Sequence, residues 1–356
     1  MAGSGFMTGI PCMLMRGGTS KGPFFLASDL PSDPGERDKV LLRIMGSPDP
    51  RQIDGLGGAH PLTSKVAIVS PSTHSGCDVD YLFLQVTPDT GAVSDSQNCG
   101  NMLAAVGPFA IERGLVKVES DQTSVRINML NSSSRAELIV QTPGGCVTYE
   151  GNSRIDGVKG IHAPVLQKYF LTAGAQCGAL LPSGNIIDII DGIECTLIDN
   201  GMPSVLLRAS DFGISGYEDP EVLENNDSLR ERLEQIRLEA GHLMNLGNVR
   251  DKTVPKMCLL APPKSGGIVS TRSFIPHRVH QAVGVLAAAS AAAGCMLENG
   301  VASGIAVFDK SKLGLVEVEH PTGALSVELE WSGNTIISTG LLRTARKIMD
   351  GTVFID

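Results

Sequence analysis

Aromatic residues make up only 4% of the 356-residue chain, too few for the stacking platforms that hold single-stranded nucleic acids. Basic blocks are missing as well. The formal net charge is −9, and no run of Lys and Arg offers a footprint for a phosphate backbone. Nucleic acid is thereby excluded as a partner, and a small anion would need a local site. No apolar run approaches the roughly 18 residues of a membrane span. The longest, AVGVLAAASAAAG from Ala282 to Gly294, is short and alanine-rich. No charged start followed by an apolar core marks a signal peptide. The eight cysteines are scattered; none forms a C-x-x-C pair, and no His/Cys cluster has zinc spacing. These absences predict a cytoplasmic protein with free thiols, without a membrane partner and without a metal.

What is present is a large core. The chain is 42% hydrophobic, and 41 glycines and 20 prolines predict frequent turns. In the first half IPCMLMRG, FFLAS, KVAIVS, VDYLFLQVT, SVRINML and RAELIVQTP read as strands by their β-branched and aromatic content, the last two as a hairpin across NSSS. A charged helix is expected around Arg37 to Met45. An apolar one runs from Gly100 to Arg113 and stops at Gly114, with Pro108 inside it as a kink or a shifted start. The second half repeats the order. NIIDII, IECTLIDN, SVLLRA, PKMCLLAPP and GGIVSTRSF are strand-like, Leu223 to Leu246 reads as one long amphipathic helix, and the alanine-rich helix is followed by VEVEHPTGALSVELEWSG and TVFI.

Each half is thus mostly β with one very apolar helix near its end, and a helix that is apolar all round is a buried one. Laying the two helices over each other matches Cys99-Gly100-Asn101-Met102-Leu103-Ala104-Ala105 with Val283-Gly284-Val285-Leu286-Ala287-Ala288-Ala289. The fold class expected is α+β: two similar domains, 1–178 and 179–356, each a sheet wrapped around a central helix.

Four segments carry more glycine and polar residues than a core needs: MRGGTSKG from Met15, IDGLGGAHPLTSK from Ile53, SQNCGN from Ser96 and EHPTGA from Glu319. Paired glycines let the backbone approach a ligand and aim N–H groups at it. Cys99 stands where a helix begins. It is either a small buried hydrophobe or a thiol whose thiolate the helix start stabilises. Lys65 precedes the apolar VAIV and is either a snorkelling surface residue or a desolvated amine. An amine and a thiol together make an acid–base pair. Arg16 and Arg272 are carboxylate clamps or surface ion-pair partners. His277, His280 and His320 flank glycine-rich or helix-start segments. GGTSKG lacks the spacing of a phosphate loop, so nucleotide binding is rejected.

Taken together, MRGGTSKG, IDGLGGAHPLTSK, VDYLF, NCGN, VGPFAIERGL, PKMCLLAPP and HPTGAL closely resemble a family of 2-methylaconitate cis–trans isomerases and 4-oxalomesaconate tautomerases or isomerases, built on the diaminopimelate-epimerase fold. The resemblance spans nearly the whole chain. It implies two epimerase-like domains with β-barrel-like sheets, an active site in the cleft between them, and no cofactor. It puts the family's catalytic lysine on Lys65 and its catalytic cysteine on Cys99. It makes Arg16, Thr19, Ser20, Ser64, Asn98, Gly100, Asn101, Arg272, His277, Gly284, His320, Thr322 and Gly323 the candidate contacts of a small tricarboxylate, and it leaves a homodimer open. Epimerases of this fold use a second thiol, whose position falls on Val283. Its absence argues against inversion at one carbon and for movement of a proton along a conjugated system. DGLGGAHPLTSK, VRINMLN, QTPGG and RSFIPH look more like the 4-oxalomesaconate branch. A methylaconitate or aconitate isomerase and a carboxylate-binding protein without turnover are the alternatives.

Overall fold

A computed structural model describes residues 7–96, 98–132, 134–170, 172–276, 278–307, 315–333 and 335–356. The chain divides into two compact units, Met1–Lys168 with Leu342–Asp356, and Tyr169–Leu341. The C-terminal segment thus belongs with the N-terminal unit instead of ending the second one.

The first unit contains β1 (Thr8–Gly17), β2 (Ser20–Leu26), α1 (Pro34–Met45), β3 (Lys65–Pro71), β4 (Val79–Val86), β5 (Val93–Ser94), α2 (Gly100–Glu112), β6 (Gln122–Met129), β7 (Ser134–Gln141) and most of β8 (Pro164–Phe170). The strands follow the order β1-β2-β3-β4-β6-β7-β8, and β1 also pairs antiparallel with the chain's last strand from Ala345 to Ile355. This sheet curls around α2, which touches β1, β2, β3, β4 and β7. Every residue of α2 from Met102 to Ile111 is buried, as its all-round apolar sequence requires. Pro108 is accommodated inside one continuous helix. The helix ends in a Schellman arrangement: Gly114 takes φ +71, its N–H donates to Ile111, and the Leu115 N–H donates to Ala110. The charged helix α1 lies on the outer face of the sheet, with Leu41, Ile44 and Met45 in a core with Phe25, Val66, Ile68 and Leu84. Asp33 caps its start through the Glu36 N–H, and Gly46 in the left-handed region ends it.

The second unit contains β9 (Asp188–Ile190), β10 (Ile193–Asp199), β11 (Pro203–Arg208), α3 (Pro220–Glu224), α4 (Asp227–Leu243), β12 (Lys256–Ala261), β13 (Val269–Phe274), α5 (Val285–Met296), β14 (Leu315–His320), β15 (Gly323–Ser332) and the first part of β16 (Thr335–Ile355). The order is β16-β15-β14-β13-β12-β11-β10-β9. The alanine-rich α5 is buried from Ala287 to Cys295 and packs against β10, β11, β14 and β15. Both units therefore have the expected form of a sheet around a central apolar helix. The helix expected over Leu223 to Leu246 is two helices. Asn226 leaves helical geometry and accepts from the Leu229 N–H, so it starts α4; a short polar side chain competes with the backbone in this way.

Arg237 on α4 is fully buried. Its guanidinium donates to Glu234 at 2.7 and 2.8 Å and to the carbonyls of Val249, Lys252 and Val254 at 2.9, 3.2 and 3.2 Å. It thus holds the loop between α4 and β12. Truncation would leave those carbonyls and the carboxylate unmatched. Arg237→Ala is expected to lower stability by about 3 kcal/mol, and Arg237→Lys to recover little, because an ammonium has no fork. Chemical denaturation measures this, and a change below about 0.5 kcal/mol, the size of an ordinary surface substitution, would contradict it.

Candidate active site

Cys99 is the N-cap of α2. Its backbone is extended (φ −131, ψ 97), its carbonyl accepts the first helical bond from the Leu103 N–H at 3.0 Å, and its Sγ accepts from the Met102 N–H at 3.5 Å. Only 9% of the residue is exposed. The sulfur therefore faces the positive end of a 13-residue helix. Burial pushes the thiols of Cys12, Cys177, Cys195 and Cys258 up to about 12, which keeps them protonated and inert.

Lys65 opens β3 and is 8% exposed. Its Nζ donates to Gln85 Oε1 at 3.0 Å and lies 4.9 Å from the Phe83 ring centroid. No ion pair among the described residues includes it. Both contacts of the amine, an amide oxygen and a ring, are neutral.

One row of side chains serves both residues. Alternation along β4 sends Tyr81, Phe83 and Gln85 to the same face. The Tyr81 hydroxyl donates to the Cys99 carbonyl at 3.3 Å, Phe83 lies beneath the Lys65 amine, and Gln85 accepts from it. Strand β4 therefore sets the helix start at one end of the row and the amine at the other.

The glycines of MRGGTSKG allow β1 and β2 to close on these elements. A Cβ on Gly22 would lie 1.8 Å from the Lys65 carbonyl oxygen, and one on Gly17 would lie 2.4 Å from the Asn101 carbonyl oxygen. Asn101 Oδ1 accepts from the Thr19 N–H at 3.4 Å, and the Gln167 amide donates to the Gly100 carbonyl at 2.7 Å. Arg16 is directed to the same turn, donating through Nη1 to the Gly18 and Thr344 carbonyls at 2.9 and 3.0 Å. Burial lowers its pKa to about 10. Its Nη2 and the Ser20 Oγ are buried polar atoms with no hydrogen-bond partner among the described residues. Ser20 shares its face of β2 with Gly22 and with Phe24, whose ring is 5.7 Å from Phe109 of α2, so the hydroxyl is on the helix side of the strand.

Two nominated residues are turned elsewhere. The Ser64 hydroxyl donates to Gln52 Oε1 at 2.7 Å, and the Asn98 amide donates to Ser132 at 2.5 Å.

In the second unit, His320 ends β14 opposite Gly323, and its Nδ1 accepts from the Thr322 N–H at 3.3 Å. The Thr322 hydroxyl donates to the Gln281 carbonyl at 2.9 Å, four residues before α5 begins. Gly284 is the α5 N-cap, its carbonyl accepting from Ala288. By helix geometry the residue equivalent to Cys99 is therefore Gly284, one place beyond the Val283 expected from the sequence overlay. Neither side chain can carry a proton. Arg272 is engaged through Nε with the Glu218 carbonyl at 2.8 Å and through Nη1 with the Thr271 carbonyl at 2.9 Å, and burial lowers its pKa. His280 Nδ1 accepts from the Ala282 N–H at 2.9 Å. His277 lies outside the described residues.

Sequence reasoning missed Tyr81, Gln85 and Gln167. Gln85 had a signal: the alternation of VDYLFLQV puts a polar side chain on the apolar face of a strand.

Comparison with known proteins gives this architecture a family. The chain is 56% identical to the (4E)-oxalomesaconate Delta-isomerase of Novosphingobium sp. over 351 residues, covering 98% of each chain. It is 53% identical to the 4-oxalomesaconate tautomerase of Pseudomonas putida over 348 residues, 98% of this chain and 96% of that one. Among solved structures it superposes on a methylitaconate-delta-isomerase with a TM-score of 0.92 at 34% identity, over 98% of this chain and 96% of the other. The PrpF protein family model matches residues 7–356, and the chain belongs to that family.

Proposed function

We propose that this isomerase acts on 4-oxalomesaconate by a 1,3-proton transfer in which Lys65 is the base and Cys99 the partner acid. One observation carries the reading. An amine with no carboxylate partner among the described residues and a thiol at a helix N-cap are both set by the inward row of β4. The amine takes a proton from a carbon next to a carbonyl or carboxylate, the charge spreads into a dienolate, and a proton is delivered at the other end of the conjugated system. The N–H groups at the start of α2, which have no intrahelical partner, oppose the developing charge. The unpartnered Arg16 Nη2 and Ser20 Oγ are suited to a substrate carboxylate. The 4-oxalomesaconate relatives are 56% and 53% identical, against 34% for the methylitaconate enzyme, which supports the substrate assignment.

The test is turnover of 4-oxalomesaconate, 2-methylaconitate and the aconitates by the purified protein, followed by NMR. Conversion of 4-oxalomesaconate at a kcat/KM well above the others is expected. Preference for an aconitate would overturn the substrate, and no conversion of any acid would overturn the enzyme.

Gly22→Ala gives a second check. The added methyl would meet the Lys65 carbonyl, which is backbone and cannot step aside. Stability should fall by about 2 kcal/mol, and kcat by roughly tenfold or more as β3 and its amine shift. Melting and steady-state kinetics read both, and a variant that matches the wild type in each would contradict the packing argument.

A further inference from the structure

Gln85 stands directly opposite Lys65 in the β3–β4 register. Both ends of its amide are engaged. Oε1 accepts from Lys65 Nζ at 3.0 Å, while Nε2 donates to the Ser64 and Pro61 carbonyls at 2.9 and 3.1 Å. Carbonyl oxygens only accept, so they select the NH2 end and turn the oxygen to the amine. Ser64 is held in turn through its hydroxyl by Gln52, a residue only 1% exposed that also accepts from the Ala59 N–H at 2.9 Å. The segment leading into Lys65 is therefore tied to the same amide that meets its side chain.

We propose that Gln85 is a positioning residue that holds the Lys65 amine over Phe83 in its reactive placement. The inference rests on the reading of Lys65 as the base. Lysine has a four-carbon flexible stem, and a base displaced by about 1 Å loses much of its rate. A neutral acceptor directs the amine without adding a charge that would favour its protonated form. Only an amide supplies this acceptor together with donors for the carbonyls of Pro61 and Ser64. Methionine supplies neither, and an ionised glutamate accepts but cannot donate.

The experiment is a double-mutant cycle on 4-oxalomesaconate with Gln85→Met, Lys65→Ala and the pair, repeated with Gln85→Glu, which preserves side-chain shape should Gln85→Met fail to fold. Each Gln85 variant is expected to lower kcat roughly 10- to 100-fold while KM stays within about threefold. In the Lys65→Ala background the same change should cost less than about twofold, because the group it positions is already gone. Near-wild-type kcat in the Gln85 variants overturns the positioning role even when Lys65→Ala is inactive, and where Lys65→Ala keeps measurable turnover an equal fold-loss in both backgrounds overturns it as well. Full activity in Lys65→Ala overturns the base assignment itself, and with it this proposal.

Discussion

Lys65→Ala should lower kcat by at least about 10²-fold, the size of a positioned acid–base contribution, without unfolding the protein. Among the described residues the amine makes one hydrogen bond, to Gln85, and lies over one ring, Phe83. Removing it leaves the Gln85 oxygen unmatched, and the NH2 end of the same amide keeps its bonds to the Pro61 and Ser64 carbonyls. The stability cost is therefore of the order of one hydrogen bond, about 1 kcal/mol, while the rate loses its proton acceptor. Lys65→Arg should not restore turnover, since a guanidinium does not give up its proton. Near-wild-type kcat in Lys65→Ala would reduce Lys65 to a snorkelling residue at a strand end.

Cys99→Ala is the second large effect, also at least about 10²-fold in kcat. Its structural cost is small: the sulfur accepts one long bond from Met102 at 3.5 Å, while the helix-initiating bond from Leu103 goes to the backbone carbonyl. Melting should change little. Cys258→Ala supplies the contrast. That thiol is pushed up to about 12 by burial, so it stays protonated, and its loss should leave kcat intact at a modest packing cost. Equal behaviour of the two variants would mean that Cys99 is one more buried hydrophobe.

The central helices were the most readable elements of the sequence. GNMLAAVGPFAIE has no polar face to give to water, and Gly114 supplies the left-handed residue that ends it. The break between α3 and α4 was hidden, because Asn226 and its neighbours interrupt an amphipathic pattern without Gly or Pro. The 21-residue β16 was recognised only at TVFI, since its partners β1 and β15 are far apart in sequence and one strand serves both units. At the site, the residue types at Lys65 and Cys99 stood out from their glycine-rich surroundings. Their supports did not. Tyr81 and Gln85 act through a cross-strand register, and a register is not visible until β3 and β4 are paired. The overlay of the two apolar helices was one residue out at Val283, because alanine-rich helices align almost equally well in neighbouring frames.

The central claim is that a proton moves along the substrate between Lys65 and Cys99, and its most direct test is conversion of 4-oxalomesaconate in deuterated water, followed by NMR at initial rates. Solvent deuterium should enter the product carbon on one prochiral face only, because a single acid delivers it. The label should be complete if the thiol delivers, or about two-thirds if the ammonium does, since its three hydrogens are equivalent. Lys65→Ala and Cys99→Ala should each lose this exchange along with turnover. Product free of solvent deuterium, or label spread equally over both faces, would contradict the account.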